Sequence, residues 1–149
     1  MKLYTFIRHT ESLYNRDGVS GRDPELTDQG REDATKLSGT YEYALISCMK
    51  RARETFELAP NLTASIVEYT SLCREKMSEH FSAPNLMKGE ENIGEDEKAF
   101  EFRISLLKQF LQYKGKQHDS ILIVCHQGVI EAITGERLHN GESIGVNVL

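Results

Sequence analysis

The chain has 149 residues, the length of one ordinary domain, and its 39% hydrophobic content is enough for a core, so a single domain over residues 1–149 is expected. A net charge of −5 without any Lys/Arg run argues against a nucleic-acid binder or a membrane-surface binder, so an anionic ligand has to be met by a local cluster of cations. Three cysteines with no C-x-x-C pair, and a start "MKLYTFIRH" whose apolar stretch is too short for a signal peptide or membrane span, predict a reducing cytoplasmic setting.

In chain order, "KLYTFIRH" (2–9) is short and apolar enough for a buried parallel strand. "LTDQGREDATKL" (26–37) reads as a helix with Thr27 or Asp28 as N-cap. "YALIS" (43–47) is a weaker strand, followed by the helical pattern "CMKRARETFELA". Residues 78–96 contain a proline, two glycines and many charges, which predicts an irregular surface excursion. The longest helix is expected at about 95–113, where Phe100, Ile104, Leu107 and Leu111 follow at steps of four, three and four. "SILIVCH" (120–126) is another buried strand, "QGVIEAIT" a helix after it, and "SIGVNVL" a final strand. Alternating β and α units predict an α/β protein, a three-layer αβα sandwich with a mostly parallel central sheet.

Ligands of open α/β sheets sit beyond the carboxyl ends of the strands. His9 and His126 both stand there, each as the last residue of an apolar run just before turn or helix sequence, where backbone amides face the same crevice. Arg51 falls in the first turn of its helix, where a cation opposes the helix dipole and therefore asks for a reason. Read singly, each of these has an ordinary explanation: a strand-end histidine is usually an edge residue, Arg51 a solvated helix residue, Glu75 a surface charge. Two arginines and two imidazoles converging on one crevice instead describe a pocket for a small multiply charged anion, for which phosphate is the best fit.

These residues carry a resemblance. "FIRHTESLYN" is similar to the R-H-G-(E) motif of the histidine phosphatase (phosphoglycerate mutase-like) superfamily, with Thr10 in place of glycine. "SGRDPELTDQGREDA" (20–34) resembles its G-x-x-D-x-x-L-T-x-x-G-x-x-A segment, "SCMKRARETFEL" (47–58) resembles S-P-L-x-R-A-x-x-T-A, and "ILIVCHQGVIEAI" (121–133) resembles the block of the second histidine. Four blocks in the family's order cover most of the chain. The resemblance implies that His9 is the nucleophile that becomes phosphorylated, that Arg8, Arg51 and His126 hold the phosphoryl group, and that Asn15 is a further phosphate contact. It also implies an acid on the segment after the third strand. Glu75 in "LCREKMSEHFS" is the candidate, with Glu79 or His80 able to do the same work, since the usual glycine of that block is missing. Glu11 and Arg22 are candidates for the outer substrate wall, and Gln127, where the family has glycine, for a substrate contact. Cys48-Met49 stands in place of Pro-Leu.

The residue types suit the chemistry. A neutral imidazole nitrogen attacks phosphorus well, and the P–N bond so formed is labile to water. Guanidinium groups and an imidazolium would stabilise the metaphosphate-like transition state where other enzymes use Mg²⁺, so neither metal nor cofactor is expected. The expected reaction is metal-independent hydrolysis of a small phosphorylated metabolite; the alternatives are a protein-phosphohistidine phosphatase, a non-catalytic phospholigand-binding module and, less favoured because residues 76–94 leave an open pocket, a mutase. Cysteine chemistry is disfavoured because C-x5-R is absent: Glu54, Glu79 and Glu131 stand six residues beyond Cys48, Cys73 and Cys125. No G-x-x-x-x-G-K-[ST] occurs, and the remaining histidines show no zinc spacing. The sequence specifies no oligomeric state.

Overall fold

The computed structural model describes residues 2–18, 23–76, 83–85, 90–92 and 95–149. Seven strands and five helices follow one another as β1 (Leu3–Arg8), α1 (Leu13–Asp17), α2 (Asp28–Ala34), β2 (Ser38–Ser47), α3 (Lys50–Glu57), β3 (Asn61–Thr70), β4 (Ala83–Asn85), β5 (Glu90–Asn92), α4 (Glu97–Gly115), β6 (Ser120–Cys125), α5 (Gln127–Thr134) and β7 (Ser143–Val146) among the described residues. The main sheet has five strands in the order β3-β2-β6-β1-β7. The first four run parallel and β7 is antiparallel to β1, so the sheet is mostly parallel, as expected.

The apolar runs are continuous because the central strands are covered on both faces. Along β6, Ile121, Ile123 and Cys125 face one side, where Phe100, Ile104, Leu107 and Leu111 of α4 and Val129 and Ile130 of α5 pack on them with Tyr4, Phe6, Tyr43 and Leu45. Leu122 and Val124 face the other side with Ile7, Ala44 and Ile46, under Ala52 of α3. The alternation of neighbouring residues between two cores is the period-2 geometry of a strand, and it gives the three layers.

Register brings the strand ends together. Arg8 pairs with Cys125, Ile46 with Val124, and Ser47 with Thr70, so the carboxyl ends of β1, β6, β2 and β3 form one edge. His9 and His126 lie one residue beyond it.

Three local features differ from the sequence reading. β2 begins at Ser38 rather than Tyr43, because its first half, alternately exposed, pairs with β3 from Ser38↔Asn61 onward. β3 itself, "NLTASIVEYT", is implied by the resemblance as the strand before Glu75 but located by no pattern in the sequence: as an edge strand it buries only Leu62 fully and so lacks the apolar run that betrays an inner strand. Helix α1 is five residues long, too short for periodicity, and is set instead by a capping box in which the Ser12 hydroxyl accepts from the Asn15 amide N–H and the Asn15 side chain accepts from Ser12 N–H. Of the expected excursion at 78–96, β4 and β5 form a two-stranded antiparallel pair.

Candidate active site

His9 is buried at the end of β1. Its Nδ1 lies 2.7 Å from the Thr10 carbonyl oxygen, which can only accept, so Nδ1 carries the proton. Nε2 is then the unprotonated nitrogen, and it accepts a hydrogen bond from Arg51 Nε at 3.3 Å. Burial first, then the charges of Arg51 and Arg8, push the His9 pKa from 6.5 down to about 3, against the opposing effect of the Thr10 carbonyl. At neutral pH the ring is a neutral imidazole with a lone pair at Nε2.

Arg51 is almost fully buried in the first turn of α3. The unfavourable dipole position is met by Asp23, whose Oδ1 accepts from the Lys50 N–H at 3.0 Å and so caps the helix from outside. Arg8 donates from a terminal nitrogen to the Leu138 carbonyl at 2.7 Å. Arg8 Nε, one terminal nitrogen of Arg51 and His126 Nδ1 are buried and without a hydrogen-bond partner among the described residues. Two buried guanidinium donors without acceptors and an unpartnered ring nitrogen, on groups that surround one imidazole, describe a cradle for an anion.

His126 is fully buried beside His9, with ring centroids 5.2 Å apart and planes at 57°. It is the N-cap residue of α5 but makes no side-chain cap; its Nε2 lies 2.8 Å from Ser47 Oγ. Burial, with Arg51, His9, Arg103 and Arg8 adding like-charge repulsion, holds its pKa well below the ordinary value. The imidazolium expected from the sequence is therefore disfavoured here, and the neutral ring is the form this environment selects.

Glu75 reaches the same edge from the segment after β3. Its two carboxylate oxygens accept from the Gly128 N–H at 3.1 and 3.3 Å, in the first turn of α5, and its charge acts on both Arg8 and Arg51. A Cβ at Gly128 would overlap Glu75 Oε1 and push that carboxylate aside. The segment is fixed by Arg103 on the buried face of α4, which donates to the carbonyls of Leu72 at 2.9 Å and Arg74 at 2.8 Å, more weakly to that of Glu75 at 3.4 Å, and pairs with Glu95 through two nitrogens at 2.5 and 3.1 Å. Both partners of that ion pair are buried.

The other candidates fall as follows. Asn15 Oδ1 accepts from Ser12 and from Asn140 Nδ2 at 3.1 Å, and the same Asn140 nitrogen donates to the His9 carbonyl at 3.1 Å, so Asn15 is tied to the His9 backbone with its own Nδ2 unengaged among the described residues. The Glu11 carboxylate accepts from the Thr27 hydroxyl at 2.7 Å. Gln127 has both ends of its amide engaged locally, accepting from Leu138 N–H at 2.7 Å and donating to the Glu136 carbonyl at 3.3 Å, so it shapes the 135–138 turn on which Arg8 leans. Thr10 needs no glycine: its backbone φ is negative, its N–H donates to Thr55 Oγ1 at 3.1 Å and its side chain is buried. Arg22, Glu79 and His80 lie outside the described residues. No group of three or more His, Cys, Asp or Glu able to hold a metal ion occurs among the described residues.

Three residues of this site were not read from the sequence. Ser47 ends an apolar run just as His9 and His126 do, and that shared position was its signal. Arg103 is a lone charge three residues after Phe100 on the apolar stripe of α4, which marks a buried, satisfied cation. Asn140, in a turn, left no pattern.

A family model, the histidine phosphatase superfamily (branch 1), matches residues 4–144. No curated protein matches the chain by sequence. Solved structures similar to it include an α-ribazole phosphatase from Shigella flexneri (23% identity, TM-score 0.72, covering 99% of this chain and 91% of that one). A phosphoglycerate mutase from Thermus thermophilus aligns at 24% identity and TM-score 0.69, over 97% of this chain and 92% of that one. A protein from Escherichia coli K-12, described only provisionally as an α-ribazole-5′-P phosphatase, aligns at 21% identity and TM-score 0.77, over 100% and 92%. At these identities the likeness establishes the fold.

Proposed function

The chain belongs to the histidine phosphatase superfamily, branch 1, and from that premise we propose that it is a phosphomonoesterase acting on a small phosphorylated metabolite through a phosphohistidine intermediate, without a metal. The observation that carries this reading is the protonation pattern at His9: Nδ1–H engaged by Thr10, Nε2 bare and directed to Arg51.

In the proposed first step Nε2 attacks phosphorus, a P–N bond forms and the ester P–O bond breaks, with its electron pair leaving on the alkoxide. The phosphoryl oxygens take over the donor that Arg51 Nε now gives to His9, and gain the donor positions of Arg8, Arg51 and His126 that lack partners. These groups are fixed before substrate arrives, so little reorganisation is needed as charge develops on the equatorial oxygens. Glu75, at the amino end of α5, is the proposed proton donor to the leaving oxygen, and afterwards the base that takes a proton from the water attacking phosphohistidine. The second step returns neutral His9 and releases inorganic phosphate.

A small phosphate ester as substrate is compatible with the α-ribazole phosphatase name of one structural neighbour. We place the protein in a reducing cytoplasm, because its three cysteines are buried, unpaired thiols. No helix among the described residues is long and apolar enough to cross a membrane.

The test is turnover of para-nitrophenyl phosphate and of an alkyl phosphate by wild type and His9→Ala, with and without EDTA, followed by base quench and mapping of the bound phosphate. Wild type should act in EDTA, label on His9, and lose about three or more powers of ten in the variant. Turnover kept in His9→Ala, label on Cys125, or activity lost to EDTA and restored by Mg²⁺ rejects the mechanism.

A further inference from the structure

Ser47 has no place in the chemistry derived so far, yet it is fully buried at the carboxyl end of β2 with its hydroxyl 2.8 Å from His126 Nε2. The same oxygen accepts from the Met49 backbone N–H at 3.3 Å. A hydroxyl has one proton to give and two lone pairs, so with one lone pair facing Met49 it can still donate its proton to the imidazole or accept from it. His126 Nδ1, the other ring nitrogen, is buried and without a partner among the described residues. It does not cap α5 either, although His126 occupies the N-cap position.

We propose that Ser47 is a positioning residue: by donating its proton to Nε2 it fixes His126 as the neutral Nδ1–H tautomer, which makes Nδ1 a hydrogen-bond donor to the phosphoryl group. This rests on the phosphatase reading above, because the anion facing Nδ1 is what favours the Nδ1–H tautomer over its alternative. The logic is that of any catalytic imidazole whose second nitrogen is held by a neighbour: the partner of one nitrogen decides what the other can do. Here the partner is a donor rather than a carboxylate, and the difference has a consequence. A carboxylate would favour a charged ring, whereas a hydroxyl donating into Nε2 is compatible only with a neutral one. The surroundings of the ring agree: burial first, then Arg51 from α3, with Arg103 from α4 and Arg8 from β1, oppose a positive charge on it. A neutral donor still serves a dianion already met by two guanidinium groups, and spares the pocket a third cation next to the nucleophile.

The alternative arrangement has Nε2–H donating to Ser47 Oγ. Nδ1 would then be a buried lone pair aimed at an anion, or, with both nitrogens protonated, a buried imidazolium. The two arrangements differ in which nitrogen carries hydrogen, and nitrogen NMR reads that directly.

The experiment uses full-length protein with ¹⁵N-labelled histidine at pH 7, with and without orthovanadate, and assigns His126 by the signal lost in His126→Asn. Wild type should show a protonated, pyrrole-type Nδ1 and an unprotonated, pyridine-type Nε2. Ser47→Ala should lose that preference and lower kcat/KM for phosphate esters by about one to two powers of ten, the scale of one mispointed transition-state donor. Ser47→Thr, which keeps the hydroxyl, should restore both. A wild-type His126 protonated at Nε2, alone or together with Nδ1, overturns the proposal, as does Ser47→Ala with tautomer and turnover unchanged. Should Ser47→Ala fail to fold, the wild-type spectrum decides alone. If the tautomer is as stated but no phosphate ester is hydrolysed, the phosphatase reading fails and the Ser47–His126 assignment stands.

Discussion

Replacing His9 by asparagine should change the pH dependence of stability by a computable amount. His9 in the folded protein binds its proton only near pH 3, against 6.5 when exposed. Between those values the unfolded chain holds a proton at this site that the folded one does not, so stability falls as pH falls through 6.5 and the loss levels off below about 3. At pH 4.5 the deficit relative to pH 8 is on the order of 2–3 kcal/mol from this ring alone, at about 1.4 kcal/mol for each tenfold in proton affinity. His126, also held well below the ordinary value, adds a loss of the same sign, which remains in His9→Asn. Carboxylates titrating in the same window are common to both proteins and cancel in the comparison. Urea unfolding at pH 8 and at pH 4.5 measures the difference, and for a domain of this length the midpoint of wild type should fall by roughly 1–2 M more than that of the variant. Parallel midpoints for the two proteins would mean that His9 is charged in the fold or that its surroundings are far wetter than the burial shows, and the neutral-nucleophile argument would go with it.

Arg103→Lys keeps a charge near Glu95 but cannot reach three carbonyls at once, so turnover of an alkyl phosphate should drop several-fold further than that of a nitrophenyl phosphate, whose leaving group needs no proton; equal losses on both would separate Arg103 from Glu75. Arg103→Met, which leaves the buried Glu95 carboxylate with only the longer ion pair to Arg74 at 3.7 Å, should destabilise the protein in chemical denaturation by less than the roughly 3–5 kcal/mol of a buried charge left with no partner. Gly128→Ala puts a methyl where Glu75 Oε1 now sits and should show the same leaving-group selectivity with the fold retained by circular dichroism; unchanged alkyl-phosphate turnover would mean that the position of the carboxylate is unimportant.

What could be read from the sequence was what repeats. The inner strands announced themselves because burial on both faces demands continuous apolar residues, and α4 because its apolar positions return every three or four. His9, His126 and Arg51 were legible because each breaks such a pattern at a strand or helix end. β3 was not legible, since an edge strand answers to one neighbour and tolerates Ser65, Glu68 and Thr70 among its residues. The contacts of Glu75 were not legible either: its partner Gly128 lies fifty-three residues further on, and no local pattern encodes a pairing that only the fold creates. The charge of His126 was not legible for a related reason. Residue type says that an imidazole can be charged, but only the fold shows the burial and the neighbouring Arg51, Arg103 and Arg8 that push its pKa down.

The proposed chemistry divides along a structural line. Arg8 ends β1 and His9 follows it, His126 follows β6, Ser47, which faces His126, ends β2, and Arg51 stands in the first turn of the helix after it, so each group proposed to act at the phosphoryl site lies near the end of a paired parallel strand. Such groups inherit the rigidity of the sheet. Glu75 inherits nothing of the kind: it lies five residues past the end of β3 and is located by side-chain and single-amide contacts, from Arg103 on α4 and Gly128 on α5. A change in Arg103, Glu95 or Gly128 can therefore move the acid without moving the nucleophile, which ties the choice of leaving group to α4 and leaves phosphoryl transfer to the strand ends. In kinetic terms the rate of phosphohistidine formation from a nitrophenyl ester should be insensitive to substitutions at those three positions and sensitive to those at Ser47, whereas alkyl esters should feel both.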